Sequence, residues 1–156
     1  MATFEQTQRA IRTYNTLCAS LDRRGWVYDR DDSKLTVKSG ASGDDLPMDL
    51  LFSIDTERQL VQMFSPISFT VNEDKRIDFS VAVTAINSSL VDGCVDYNIT
   101  NGMLMFRITS SFIGSELSED VFSYMLYCIC STVDEYNDKL LMLAKGELSF
   151  SDFLGE

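Results

Sequence analysis

The spacing of apolar residues changes period along this chain, and that change limits the folds open to it. Near the start, Phe4, Ile11, Tyr14, Leu17, Cys18 and Leu21 recur at helical spacing. Thr3 precedes Gln6 at the spacing of a capping box, and Gly25 offers a stop. From Trp26 the pattern becomes extended. Trp26-Val27-Tyr28 and Leu35-Thr36-Val37 flank the turn-rich Asp29-Arg30-Asp31-Asp32-Ser33 and predict a hairpin, followed by a loop from Ser39 to Asp45. Pro47 is tolerated at the start of a strand, and Met48, Leu50, Phe52 and Ile54 then alternate with Asp49, Leu51, Ser53 and Asp55. The expected partner strand is Leu60 to Phe64, across a loop at Thr56 to Gln59.

Residues 77–90 fit both periods, because Ile77-Asp78-Phe79-Ser80-Val81 alternates while Phe79, Val83, Ile86 and Leu90 share a helix face. We read a helix, with Asn72 as its N-cap and Glu73 and Asp74 in the first turn, where carboxylates favour the dipole. Asn101-Gly102 predicts a type I′ hairpin turn. With Thr100 opposite Met103, the pairs Ile99 with Leu104, Tyr97 with Phe106 and Val95 with Ile108 share one face, and Asp96 meets Arg107 on the other. Ser118 opens a long helix carrying Val121, Phe122, Met125, Leu126, Ile129, Val133, Tyr136, Leu140 and Leu143 and ending near Gly146. Its early half is apolar on more than one side, which predicts burial from two directions and places a dimer interface at Phe122, Met125 and Ile129. The tail, Leu148 to Leu154, is expected to dock Phe150 and Phe153. These elements predict an α+β fold, an antiparallel sheet with helices packed mainly on one face, in the order α-ββββ-α-ββ-α, within one domain spanning residues 1–156.

The chemistry absent from the sequence narrows its function. The chain has no histidine, which removes the commonest general base near neutral pH and the Ser-His, Cys-His and mixed Cys/His zinc sets. No phosphate-binding glycine motif occurs, so Gly40 and Gly43 read as loop residues. The run Asp29-Arg30-Asp31-Asp32-Ser33 fails as a calcium loop: Lys34 stands where the sharp turn needs glycine, and Gly40 where the bidentate glutamate belongs. Asp31-Asp32 and Asp44-Asp45 lie in polar loops, where nothing raises a carboxyl pKa for acid–base work. Cys128 and Cys130 point to nearly opposite sides of a helix and share neither a metal nor a disulfide. No catalytic centre, cofactor or metal is expected. The net charge of −11 repels phosphate backbones and anionic membranes, and the one arginine cluster, Arg9, Arg12, Arg23 and Arg24, reads as a solvated helix face. No apolar run is long enough to span a bilayer. Met1 to Gln8 lacks the organisation of a signal peptide, and the cysteines show no framework spacing; a cytoplasmic location is expected.

Leu51, Phe64, Met103 and Met105 fall on the strand face opposite the main core, where water-covered positions are ordinarily polar. Methionine-rich apolar surface suits adaptable partner binding. These four are the candidate partner-binding residues.

The succession of elements also resembles the YbjN family of small bacterial proteins, whose fold is like that of type III secretion chaperones. The resemblance spans nearly the whole chain. It rests on Gly25-Trp26, Phe52-Ser53-Ile54 leading through Asp55 to Leu60-Val61, and Phe64 and Pro66 before Asn72-Glu73-Asp74-Lys75-Arg76. It continues through Asn87 and the run from Asp96-Tyr97-Asn98 by way of Asn101-Gly102 to Phe106-Arg107. The resemblance implies a non-catalytic α+β domain, often dimeric, with chaperone-like or regulatory binding of a protein segment, and supplies no site residues. A small-ligand sensor, with its pocket between the sheet and the long helix, is the competing expectation.

Overall fold

The capping box forms as the spacing requires. The Thr3 hydroxyl accepts from the Gln6 amide at 3.1 Å, and the Gln6 side chain accepts from the Thr3 amide at 2.8 Å. Helix α1 (Phe4–Arg23) follows and buries Ala10, Thr13, Tyr14, Leu17, Cys18 and Leu21. Phe4 stays exposed and Ile11 lies at the edge of the stripe, so the buried face starts later than the sequence suggests. Gly25, at φ 70°, turns the chain out.

The structure, a computed structural model, describes residues 1–155. Its strands are β1 (Tyr28–Asp31), β2 (Thr36–Ser42), β3 (Pro47–Asp55), β4 (Leu60–Thr70), β5 (Cys94–Asn98) and β6 (Met103–Ser111). They form one antiparallel sheet in the order β1-β2-β3-β4-β6-β5. Val37, Leu50, Phe52, Ile54, Val61, Met63, Leu104, Phe106 and Ile108 all point to one face and are buried there. A single 3-10 turn (Glu73–Lys75) leads into α2 (Arg76–Ser89), followed later by α3 (Glu119–Lys145) and α4 (Phe150–Leu154). The helices cover that same face, giving the α+β architecture and element order expected from the sequence.

Several boundaries differ, each for a local reason. β1 begins at Tyr28, leaving Val27 exposed. β2 runs to Ser42, through the stretch expected to be loop, because each residue from Thr36 to Ser42 pairs with β3. β4 continues past Pro66 to Thr70. A proline inside a central strand cannot donate to a neighbour, and the pairing with β3 ends at Leu51 with Phe64, just before it.

Helix is the outcome at residues 76–89, with Phe79, Ala82, Val83 and Ile86 buried. Asn72 precedes the 3-10 turn without a side-chain capping bond. The tail docks as α4, with the Phe150 ring edge-on to Phe79 at 6.4 Å between centroids.

The β5–β6 hairpin is not a type I′ turn. Asn98 pairs with Met103, Tyr97 with Leu104 and Val95 with Phe106, so the loop has four residues, Ile99 to Gly102. The Asn98 carboxamide accepts from the Thr100 amide at 2.9 Å, and the Asn98 carbonyl accepts from Gly102 at 2.7 Å. Only Gly102, at φ 75°, takes the positive φ that type I′ needs at both central positions. The register moves by two residues, an even step that leaves every side chain on its expected face.

Gly102 is also pressed against the end of β4. Its carbonyl accepts from Val71 at 2.9 Å, and a Cβ there would lie 2.2 Å from the Val71 carbonyl oxygen. Gly102→Ala is therefore expected to destabilise the fold by about 3 kcal/mol, combining a left-handed conformation with a backbone clash. Urea unfolding monitored by circular dichroism measures it.

Candidate partner-binding face

Because all the helices lie on one side, the other face of the sheet has no helix over it. Strand alternation sends Leu51, Phe64, Met103 and Met105 to that face, as expected. Leu51 and Phe64 are cross-strand partners, and Phe64 is in turn opposite Arg107. Met105 stands opposite Pro66 on one side and Asp96 on the other; Met103 stands opposite Thr70 and Asn98. Met103 is 56 % exposed, and the other three apolar residues are half-buried.

Met103 and Met105 border a cleft of about 950 Å³, whose lining also includes Pro66, Ser68, Thr70 and Asn98. It forms where the β4–β6 register jumps from Pro66 opposite Met105 to Thr70 opposite Met103, a bulge that strengthens the local twist. A second hollow, about 430 Å³, lies toward the other edge of the sheet and includes Asp29, Asp31, Lys34, Lys38 and Leu51. The contribution of Pro66 to Thr70 lies beyond the strand that the sequence pattern predicts, Leu60 to Phe64. The signal was present: Ser65, Ile67, Phe69 and Val71 alternate with Pro66, Ser68 and Thr70.

Asp96 and Arg107 form the charged element of this face. They are diagonal rather than directly opposite, with Arg107 Nε 2.6 Å and Nη2 3.1 Å from the two carboxylate oxygens. The guanidinium hydrogen bond holds the Asp96 carboxyl below its ordinary range and raises Arg107 in turn. Cys94, beside them, is pushed up chiefly by burial.

Phe122, Met125 and Ile129 do not lie on an outer surface. Each is at most 2 % exposed within its own chain, so they form core and the dimer interface assigned to them is corrected. The extra apolar width of α3 is covered by α1 and α4, which pack beside it. Its outward side carries Tyr124 and Tyr127 instead, both exposed. Between sheet and long helix, the hollow bounded in part by Met48, Ile67, Val133 and Asn137 is about 10 Å³, the size of one water rather than of a ligand.

Three arginines of the cluster tie α1 to α3 and to the loop before it. Arg12 pairs with Glu116 at 2.6 Å, Arg23 with Glu119, and Arg24 with the Ser123 hydroxyl. Asp31 and Asp32 are occupied by local bonds: Asp31 accepts from Ser33 and Lys34, and Asp32 from Arg30 and Tyr14. Among the described residues, no group of three His, Cys, Asp or Glu side chains is placed to hold a metal, the four cysteines are free, and no helix is long and apolar enough to cross a membrane.

Since the folded carboxyl of Asp96 titrates below its unfolded value, the pair stabilises the fold above about pH 4 and loses that contribution as pH falls through the folded value. Arg107→Met is expected to cost about 1 kcal/mol or less at pH 7, both groups being partly exposed. It should also narrow the gap in melting temperature between pH 7 and pH 3, measured by calorimetry.

No family model matches this sequence, and no curated protein matches it. Among solved structures, the chain is similar to YbjN from E. coli, described as a candidate transcription regulator, with a TM-score of 0.57 and 14 % identity over 81 % of this chain and 92 % of that one. At that identity the similarity is one of fold.

Proposed function

We propose that this protein is a non-catalytic partner-binding module, regulatory or chaperone-like, that holds a protein segment on the helix-free face of its sheet and acts as a homodimer. The observation that carries the reading is the placement of Leu51, Phe64, Met103 and Met105 on a sheet face where solvated strands ordinarily present polar side chains, with Met103 and Met105 lining an open cleft. Methionine adapts its shape to varied partners. The regulatory description of the fold neighbour supports the same class of role. A net charge of −11 directs the reading to protein contacts rather than direct contact with a nucleic acid.

Homodimerisation is assigned to the outward side of α3, where exposed Tyr124 and Tyr127 stand beside Val91, joined by the hydrogen bond from Tyr124 to Asp92. Aromatic side chains of this kind are common interface anchors.

Light scattering after size-exclusion chromatography is expected to give twice the 17.6 kDa chain mass for the wild type, and the single mass for Tyr127→Asp. Met103→Asp with Met105→Asp should leave the dimer intact but remove the proteins that co-purify with wild type, identified by mass spectrometry. Undiminished recovery of those proteins would show that the sheet face is not the binding surface.

A further inference from the structure

An open sheet has two edges, and each edge strand carries a row of main-chain donors and acceptors that another strand can pair with. Here the edges are β1 and β5. β1 is short and bears Asp29, Arg30 and Asp31, a composition that discourages pairing. β5, Cys94-Val95-Asp96-Tyr97-Asn98, has one charge, and Arg107 neutralises it. Its protection has another source. The Asn87 carboxamide, from the last turn of α2, accepts from the Val95 amide at 2.7 Å and donates to the Val95 carbonyl at 3.1 Å.

Those two bonds fix which residues of β5 form its outer side. Main-chain groups of successive residues in an antiparallel strand point to opposite sides. Val95 bonds to Asn87, so Val95 and Tyr97 face outward while Cys94, Asp96 and Asn98 face β6; the Asn98 carbonyl accordingly accepts from Gly102 in the β5–β6 loop. Asn87 thus stands in for a neighbouring strand, supplying both bonds that a paired residue would give Val95. The occupant it replaces is a second copy of β5. Two outward residues with one between them are self-complementary: in a two-fold antiparallel pair centred on Asp96, Val95 of each copy meets Tyr97 of the other, and each such pair exchanges two main-chain bonds. The two Asp96 side chains that meet at the centre are each held by their own Arg107.

We propose that Asn87 is a plug on the β5 edge, and that withdrawing its carboxamide opens a strand-addition site for a second copy of this chain. The edge is distinct from the outward side of α3 and from the helix-free face, and the proposal rests on neither. α2 has other anchors: Phe79, Ala82, Val83 and Ile86 are buried, and the Tyr97 hydroxyl donates to the Arg76 carbonyl at 3.0 Å. The helix therefore stays docked when the plug is removed.

The test follows the mass of the full chain by light scattering as concentration rises. In the Tyr127→Asp background, Asn87→Ala is expected at least to double the mass, whatever mass Tyr127→Asp alone shows, so failure of the α3 dimer leaves the comparison intact. Asn87→Asp keeps an acceptor for the Val95 amide but sets a charge on the edge, and should keep the mass of Tyr127→Asp. Amide hydrogen exchange locates the surface. With Asn87 present, the Val95 amide is expected to exchange about tenfold more slowly than that of Tyr97, each relative to its intrinsic rate, a measurement that needs no variant. In Asn87→Ala the difference should vanish at low concentration, and both amides should slow about tenfold on association. Unchanged mass for Asn87→Ala, shown by circular dichroism to be folded, overturns the proposal. So does equal association of Asn87→Asp, which would mark lost stability as the cause. Equal exchange of Val95 and Tyr97 with Asn87 present, or association that leaves both amides unprotected, overturns it as well.

Discussion

The fold depends on the packing of α3 against the two middle strands, β4 and β6. Phe122, Met125, Ile129 and Val133 meet the layer of Val61, Met63, Phe106 and Ile108, and every one of these side chains is essentially removed from water. Burying a large aliphatic or aromatic side chain contributes roughly 1.5–3 kcal/mol, so this layer outweighs any pair of surface charges. It also decides where the other helices go. α1 and α4 flank α3 on the same side, and the amphipathic stripe of each is used up there. The far face of the sheet is left without a helix of its own, and that arrangement leaves Met103 exposed and Leu51, Phe64 and Met105 half-buried.

Pro66 adds a second constraint. A central strand containing proline cannot keep both neighbours, and here β4 separates from β3 at that point while bulging away from β6. Pro66 thus borders both the cleft on the helix-free face and the one-water hollow beside α3. Polar groups gather at the same place: the Ser65 hydroxyl and the Asn137 amide are buried without partners among the described residues. Such groups are costly in an apolar interior.

Much of this was legible in the sequence, because alternation is robust to errors of register. The last hairpin closes two residues away from the register expected of it, yet Val95, Tyr97, Leu104 and Phe106 face the core and Met103 and Met105 face away, as alternation predicts. The turn misled because Asn-Gly is a strong two-residue signal, while Asn98 recruits two amides and lengthens the loop. Four-residue loops also close the β1–β2 and β3–β4 hairpins, and they end on Leu35 at φ 52° and Gln59 at φ 55°, residues with no propensity for that conformation. Gln59 is held there by bonds to the Thr56 and Gln6 carbonyls and from Arg9. Those contacts are tertiary and leave no trace in a local pattern. The misplaced interface on α3 has a similar origin: periodicity reports that a face is apolar, and not which element covers it.

Five of the eleven elements form a continuous N-terminal unit, from α1 through β4, whose strands each pair with the next in sequence. The β5–β6 hairpin is equally local. The two are joined through β4 with β6, a pairing that can form only after the chain has traversed α2 and β5. Closing that loop costs entropy before any contact repays it, and non-local pairings of this kind slow folding. On this topology the β4–β6 joint is expected to form late in assembly. Until it forms, the facing edges of β4 and β6 are both bare, and crowding of unfinished chains at that stage is the route by which this protein would pair with the wrong copy of itself.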